Sequence, residues 1–208
     1  MSNIDRRDFL KGLTLTSATL FVPGVFRLGM EDSSLETNHL IGLGSASYQV
    51  FLTLQGQPDL HRMTVLDTEI PDEEHLNIAL YPLKVQDMQK NSLYALFDNL
   101  FSKNDNYFIF ASIGRTTGNI LFRQLANWMK SQQKEHRLVA MLPFHFEGQK
   151  AMDWSKEALS AIPDKDRLSI VELENFRKKH GNLPLQSAME LAHLEVLKLW
   201  EIDQVNVS

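Results

Sequence analysis

Three short segments hold the residues best able to do chemistry: Gly42-Leu43-Gly44-Ser45-Ala46-Ser47, Gly114-Arg115-Thr116-Thr117-Gly118 and Pro143-Phe144-His145-Phe146-Glu147-Gly148. Each follows an apolar run that reads as a strand. In a parallel sheet covered by helices, such turns gather on one rim, and ligands enter the crevice there. The chemistry on offer is recognition of a ligand by small polar groups, one cation (Arg115) and one carboxylate (Glu147). Other chemistries lack their residues. There is no Cys, which excludes a disulfide scaffold, a thiolate zinc site and a cysteine nucleophile. The seven His form no HExxH or other helical metal spacing. Neither a GxSxG elbow nor an SxxK pair is present. His145 and Glu147 could give two metal ligands from one loop, and no metal is expected.

The elements that must position these segments follow from periodicity. Apolar runs predict strands at His39–Leu43, Arg62–Leu66, Asn77–Leu80, Tyr107–Ala111, Leu138–Leu142 and Arg167–Val171. Between them, helical spacing predicts Tyr48–Leu54, Ser92–Phe101, Asn119–Lys130 and Lys150–Ala161, with Gly114–Gly118 as a turn. Pro184 suits the first turn of a long helix reaching Glu201, with Leu185, Met189, Ala192, Val196, Leu199 and Trp200 inward. Its further apolar edge, Leu194, Leu197 and Trp200, is either a partner surface or covered by other parts of the chain. Arg177-Lys178-Lys179-His180 reads as a helix end stopped by Gly181, or as a phosphate-binding patch. Asp72-Glu73-Glu74 caps a helix start or coats a loop. Strand–helix alternation predicts an α/β fold: a three-layer, Rossmann-like, mostly parallel sheet with helices on both faces.

With 208 residues, the chain holds one domain with room for an appendage. Its charge, 21 Lys plus Arg against 26 Asp plus Glu, shows no basic excess, so no nucleic-acid partner is expected. Residues 1–30 nevertheless carry net positive charge, with Arg6, Arg7, Lys11 and Arg27 against Asp5 and Asp8. The run Asp5-Arg6-Arg7-Asp8-Phe9-Leu10-Lys11, followed by the mildly apolar Gly12 to Phe26, resembles a twin-arginine export signal. That resemblance implies a translocase contact through residues 5–11 and a periplasmic or membrane-associated location; otherwise the protein is cytoplasmic. The alternative for this segment is an amphipathic helix packed on the domain. Residues 31–38 read as a polar linker, and 39–208 as the domain.

Leu142-Pro-Phe-His-Phe-Glu-Gly-Gln-Lys-Ala-Met152 resembles the loop KPFNFEGKKRM of bacterial FtsZ. Upstream, Phe108 to Asn119 (FIFASIG…TTGN) resembles FVTAGMGGGTGTG, the glycine-rich signature of the FtsZ/tubulin family. His39–Ser47 is similar to its first phosphate loop, and Val65-Leu-Asp67-Thr68 sits where the family has VNTD. The order and spacing agree over residues 38–202. The resemblance implies the family's nucleotide-binding domain, with Gly42, Gly44, Ser45, Gly114, Arg115, Thr116, Thr117 and Gly118 at the phosphates and Glu147 at the ribose. It makes GTP the one candidate cofactor. Glycines serve such loops because backbone N–H groups can then converge on an anion.

The departures point the other way. Ser45, Ala46 and Ser47 replace a run of glycines. Arg115 stands amid the second loop, where it either binds phosphate bidentately or fills the phosphate's place. Ala151 replaces the arginine partner of the ribose-binding Glu, and Leu173 falls on the guanine-reading Asn. After the long helix the sequence shows Asp203 without an NxDxxD pattern and ends at Ser208. The expectation is a degenerate domain that works by contact with an unidentified protein partner or by self-association, without GTP hydrolysis and with no catalytic residue. Two alternatives stand beside it: a nucleotide binder with weak or partner-dependent hydrolysis, and an exported protein whose old crevice takes another ligand.

Overall fold

The computed structural model describes residues 38–52, 62–69, 78–101, 105–179, 181 and 183–207. The signal-like segment, the linker's residues 31–37 and Asp72-Glu73-Glu74 lie outside the described residues. From Glu36 to Ser208 the chain forms one compact unit.

Six runs centred on apolar residues become strands: β1 (Asn38–Leu43), β2 (Arg62–Asp67), β3 (Ile78–Pro82), β4 (Asn106–Ser112), β5 (His136–Leu142) and β6 (Leu168–Glu172). They form one sheet in the order β3-β2-β1-β4-β5-β6, and every pairing is parallel. The helices are α1 (Ser45–Leu52), α2 (Lys90–Leu100), α3 (Thr116–Ser131), α4 (Gln149–Ser160), α5 (Leu173–Lys179) and α6 (Leu185–Val207). This is the α/β, Rossmann-like architecture expected from the alternation of elements.

The four central strands are buried on both faces, which is why they read as apolar runs, while the edge strands β3 and β6 are partly exposed. Alternate residues of β4 divide between two cores. Tyr107, Ile109 and Ala111 join α2 and α3 through Phe97, Phe101, Leu125 and Trp128. Phe108 and Phe110 face α1 and α6 through Phe51, Ala192 and Val196. The Trp128 indole N–H donates to Asp98 Oδ1 at 2.9 Å, which satisfies the one polar atom that its burial would otherwise strand.

Two helix starts and one inward face differ most from those predicted. α1 begins at Ser45 rather than Tyr48 because Ser47 turns back on Gly44, its N–H donating to the Gly44 carbonyl at 3.1 Å and its hydroxyl to the same oxygen. α3 begins at Thr116, so half of the expected 114–118 turn is the first turn of a helix; Arg115 is its cap residue with extended backbone. α6 presents Ala188, Ala192, Val196 and Trp200 to the core, whereas Leu185 is 54% exposed. A spacing of four keeps one narrow stripe inward, so Leu185 and Met189 fall to its side.

Candidate functional site

The strand order reverses between β1 and β4, and the turns leaving these two strands part to opposite faces. A crevice opens there, as it does at such switch points generally. It encloses about 590 Å³ and is lined by parts of the turns after β1, β2, β4 and β5, together with the starts of α5 and α6. That is within the size range of small-molecule sites.

The glycines of the expected phosphate loops do different work. Gly44 borders the crevice with φ +89, and a Cβ built there would meet no atom within 4 Å, so its backbone is open to the cavity. Its N–H donates to the Leu66 carbonyl at 2.9 Å. Gly42 is not at the crevice wall. A Cβ there would lie 2.5 Å from Ser47 Cβ and 3.1 Å from the Phe51 ring, so this glycine lets α1 lie against β1. Gly118 lines the crevice but is fixed by packing, since its Cβ would sit 2.2 Å from the Ser112 carbonyl oxygen. Gly114, with φ +112, packs on Pro143 and donates its N–H to Asn119 Oδ1 at 2.8 Å.

Thr117 faces the crevice, and its hydroxyl lies 3.2 Å from the Thr68 hydroxyl, tying the α3 start to the β2 end. Arg115 lines the same space, is exposed and forms no ion pair among the described residues. Thr116 points instead toward a groove between α3 and α4. Ser45 opens α1 beside Gly44. The start of α3 supplies backbone N–H groups free of intrahelical partners, with the positive end of the helix dipole.

Glu147 is in the wall but already engaged: Oε1 accepts the Phe144 N–H at 2.9 Å and so closes its own 3-10 turn. Phe146 is 63% exposed and stacks on the buried Phe144 ring at 5.0 Å. With Leu173, Leu185 and Met189 it makes the end of the crevice beyond Glu147 apolar.

Residues not picked from the sequence as site residues also line the crevice: Gln49, Asp67, Thr68 and Glu69. Asp67 ends β2, is 4% exposed, and has its carboxyl pushed above the usual range by burial, against the Thr68 and Glu69 N–H groups that pull it down. For Asp67 and Thr68 the sequence held two signals: the resemblance of Val65-Leu-Asp67-Thr68 to the family's VNTD, and the position of the β2 end on the same rim as those of β1 and β4. Arg177, part of the suggested basic patch, is paired with Glu174 at 2.5 Å. Among the described residues no group of three or more His, Cys, Asp or Glu could hold a metal ion, and no helix is long and apolar enough to cross a membrane.

No family model and no curated protein matches the sequence. Solved structures do. The chain is similar to an empty FtsZ dimer from M. jannaschii, with 16% identity and TM-score 0.65 over 93% of this chain and 57% of that one. It is also similar to CetZ from Methanosaeta thermophila, with 14% identity and TM-score 0.58 over 82% and 54% of the two chains. A CetZ2 protofilament from Haloferax volcanii with GTPγS bound gives 15% and 0.55 over 78% and 56%. At these identities the likeness is one of fold, and the chain spans little more than half the length of each protein. The fold is that of FtsZ/tubulin-type proteins, as the loop resemblances implied.

Proposed function

We propose that this is a degenerate FtsZ/tubulin-like domain that acts through protein–protein contact and does not hydrolyse GTP. One observation carries the proposal. Where a purine base would be read, the wall is Phe146, Leu173, Leu185 and Met189, and one oxygen of the neighbouring Glu147 carboxylate is held by its own turn. A site that recognises a base by hydrogen bonds gains much of its discrimination from them, and an apolar wall supplies none. That the solved neighbours include a dimer and a protofilament supports an assembling role for this fold. The test is a thermal-shift panel on the full chain with GTP, GDP and ATP. A ligand at about a thousand times its Kd stabilises by about 4 kcal/mol. No shift is expected with any nucleotide, and a saturable, GTP-selective shift overturns the proposal.

A second reading, a nucleotide binder with weak or partner-dependent hydrolysis, is favoured by the other end of the crevice. There the α3 start and Arg115, which meets no carboxylate among the described residues, face the space and suit a phosphate. Saturable stabilisation by GTP and ATP alike, lost in Arg115→Ala, separates it from the first. Export through residues 5–11 is a distinct proposal, resting on the paired Arg6 and Arg7. Fractionation of cells carrying wild type or Arg6→Lys with Arg7→Lys tests it: purely cytosolic wild type removes it.

A further inference from the structure

The two edges of the six-stranded sheet are unlike. β3 ends on Pro82, which has no N–H to offer a further strand, and proline is one of the ways a sheet edge is closed. β6, Leu-Ser-Ile-Val-Glu, holds neither Pro nor Gly. It pairs with β5 on one side only. On the other side its N–H and C=O groups meet no backbone group among the described residues.

Side chains mark the same edge. Val171 turns into the core that holds Ala188 and Val196 of α6. Leu168 and Ile170 take the opposite face, where Leu168 packs partly on the core of α2 and α3. Ile170 stands beside Ala140 of β5 and is 47% exposed. Among the described residues it is the one large apolar side chain on a strand that is open to this degree. An apolar residue left bare on an open edge is what pairing with a further strand would cover.

We propose that β6 pairs with β6 of a second copy of this chain, antiparallel about a two-fold axis, so that two sheets run into one. A two-fold contact joins the same patch on both copies, and one strand edge can meet itself in this way only antiparallel. Centred on Ile170, the pairing sets Ile170 against its own copy, Ser169 against the partner's Val171 and Leu168 against the partner's Glu172. Direction also suits the charges. Lys165 and Arg167 outnumber Asp166 before the strand, and Glu172 ends it, so the cationic end of each copy lies toward the acidic end of the other. A parallel copy would set like beside like. Head-to-tail use of β6 would need the β3 edge, which Pro82 closes. Five residues a side make a small contact, so the dimer is weak and forms as protein concentration rises. The inference rests on the protein-contact function proposed above and names its surface and its partner.

The test uses the full chain, which has no Cys, so a single introduced thiol reports its own neighbourhood. Directly opposite Cβ atoms in an antiparallel pair lie about 5 Å apart, within a small adjustment of a disulfide. Glu172 and the partner's Glu172 would be displaced along the strands by about 13 Å. Ile170→Cys is therefore expected to oxidise readily to a covalent dimer, and Glu172→Cys to stay monomeric under the same oxidant. Sedimentation equilibrium of wild type is expected to show a monomer–dimer equilibrium. Ile170→Lys, which puts like charges opposite each other, is expected to weaken it about tenfold with the thermal midpoint unchanged. Wild type that stays monomeric at every concentration, equal cross-linking of the two thiols, or a dimer undiminished in Ile170→Lys overturns the proposal. So do species that keep growing past the dimer, which assign β6 to a head-to-tail chain. The contrast between the two thiols decides the matter if Ile170→Lys does not fold. Phosphate release from GTP is measured on the same samples. A dimer joined at Ile170 that turns GTP over removes the proposed function and leaves the pairing; a monomer without turnover removes the pairing and leaves the function with another partner.

Discussion

Replacing Gly118 by Ala separates the two jobs that a glycine can have near a crevice. The added Cβ would lie 2.2 Å from the Ser112 carbonyl oxygen, backbone against backbone. Neither atom can rotate away, so the first turn of α3 must lift from the end of β4 by about 1 Å in a close-packed interior. Overpacking of this kind costs about 3 kcal/mol. Ala in place of a helical Gly returns about 1 kcal/mol. The net loss is therefore about 2 kcal/mol, which lowers the midpoint by about 4 to 8 °C in a domain of this size. Differential scanning calorimetry of the full chain, with urea unfolding beside it, measures this directly. A Gly118→Ala protein as stable as wild type would refute the packing role and return Gly118 to the ligand.

Other outcomes follow from the same geometry. Gly44→Ala meets no neighbouring atom but is held at φ +89, so it loses only about 1 to 2 kcal/mol in urea unfolding. Glu147→Ala gives up the acceptor for the Phe144 N–H and loses about 1 kcal/mol, while Glu147→Gln keeps it; equal stability of the two would show that the carboxylate does not hold the turn. His39 is buried beside Thr64, and burial, with the Arg62 charge and against that of Asp105, lowers its pKa from 6.5 to about 4. Its contribution is whole above pH 6.5 and is lost as pH falls toward 4, about 3 kcal/mol in all. Urea unfolding at a series of pH values should show that loss, and His39→Gln should flatten it; an unchanged slope counts against His39. Asp67, raised by burial, is penalised as pH climbs above 3.8, so Asp67→Asn should be at least as stable as wild type at neutral pH and lose that advantage in acid. A lower neutral-pH midpoint would show that the ionised carboxylate is needed.

The centre of the sheet was legible because it is buried on both sides. A strand such as Tyr107–Ala111 has no polar face to blur its ends, and five of the six predicted strands begin within one residue of the observed position. Helix starts were less legible. Whether Thr116 begins a helix depends on Gly118 lying against Ser112, a contact between backbones that no spacing encodes. For the same reason Gly42 and Gly44, two residues apart, read alike in sequence yet divide into a packing glycine and an open one. Asp67 was flagged by its place at the family's VNTD position, and the pairing of β2 beside β1 shows why its end reaches the crevice.

Phosphate release from GTP with Mg²⁺ by the full chain, alone and at rising protein concentration, tests the central claim most directly. A rate indistinguishable from buffer at every concentration is predicted. Release that grows faster than linearly with protein, and stops in Gly44→Ala or Arg115→Ala, would show an assembling GTPase and contradict it.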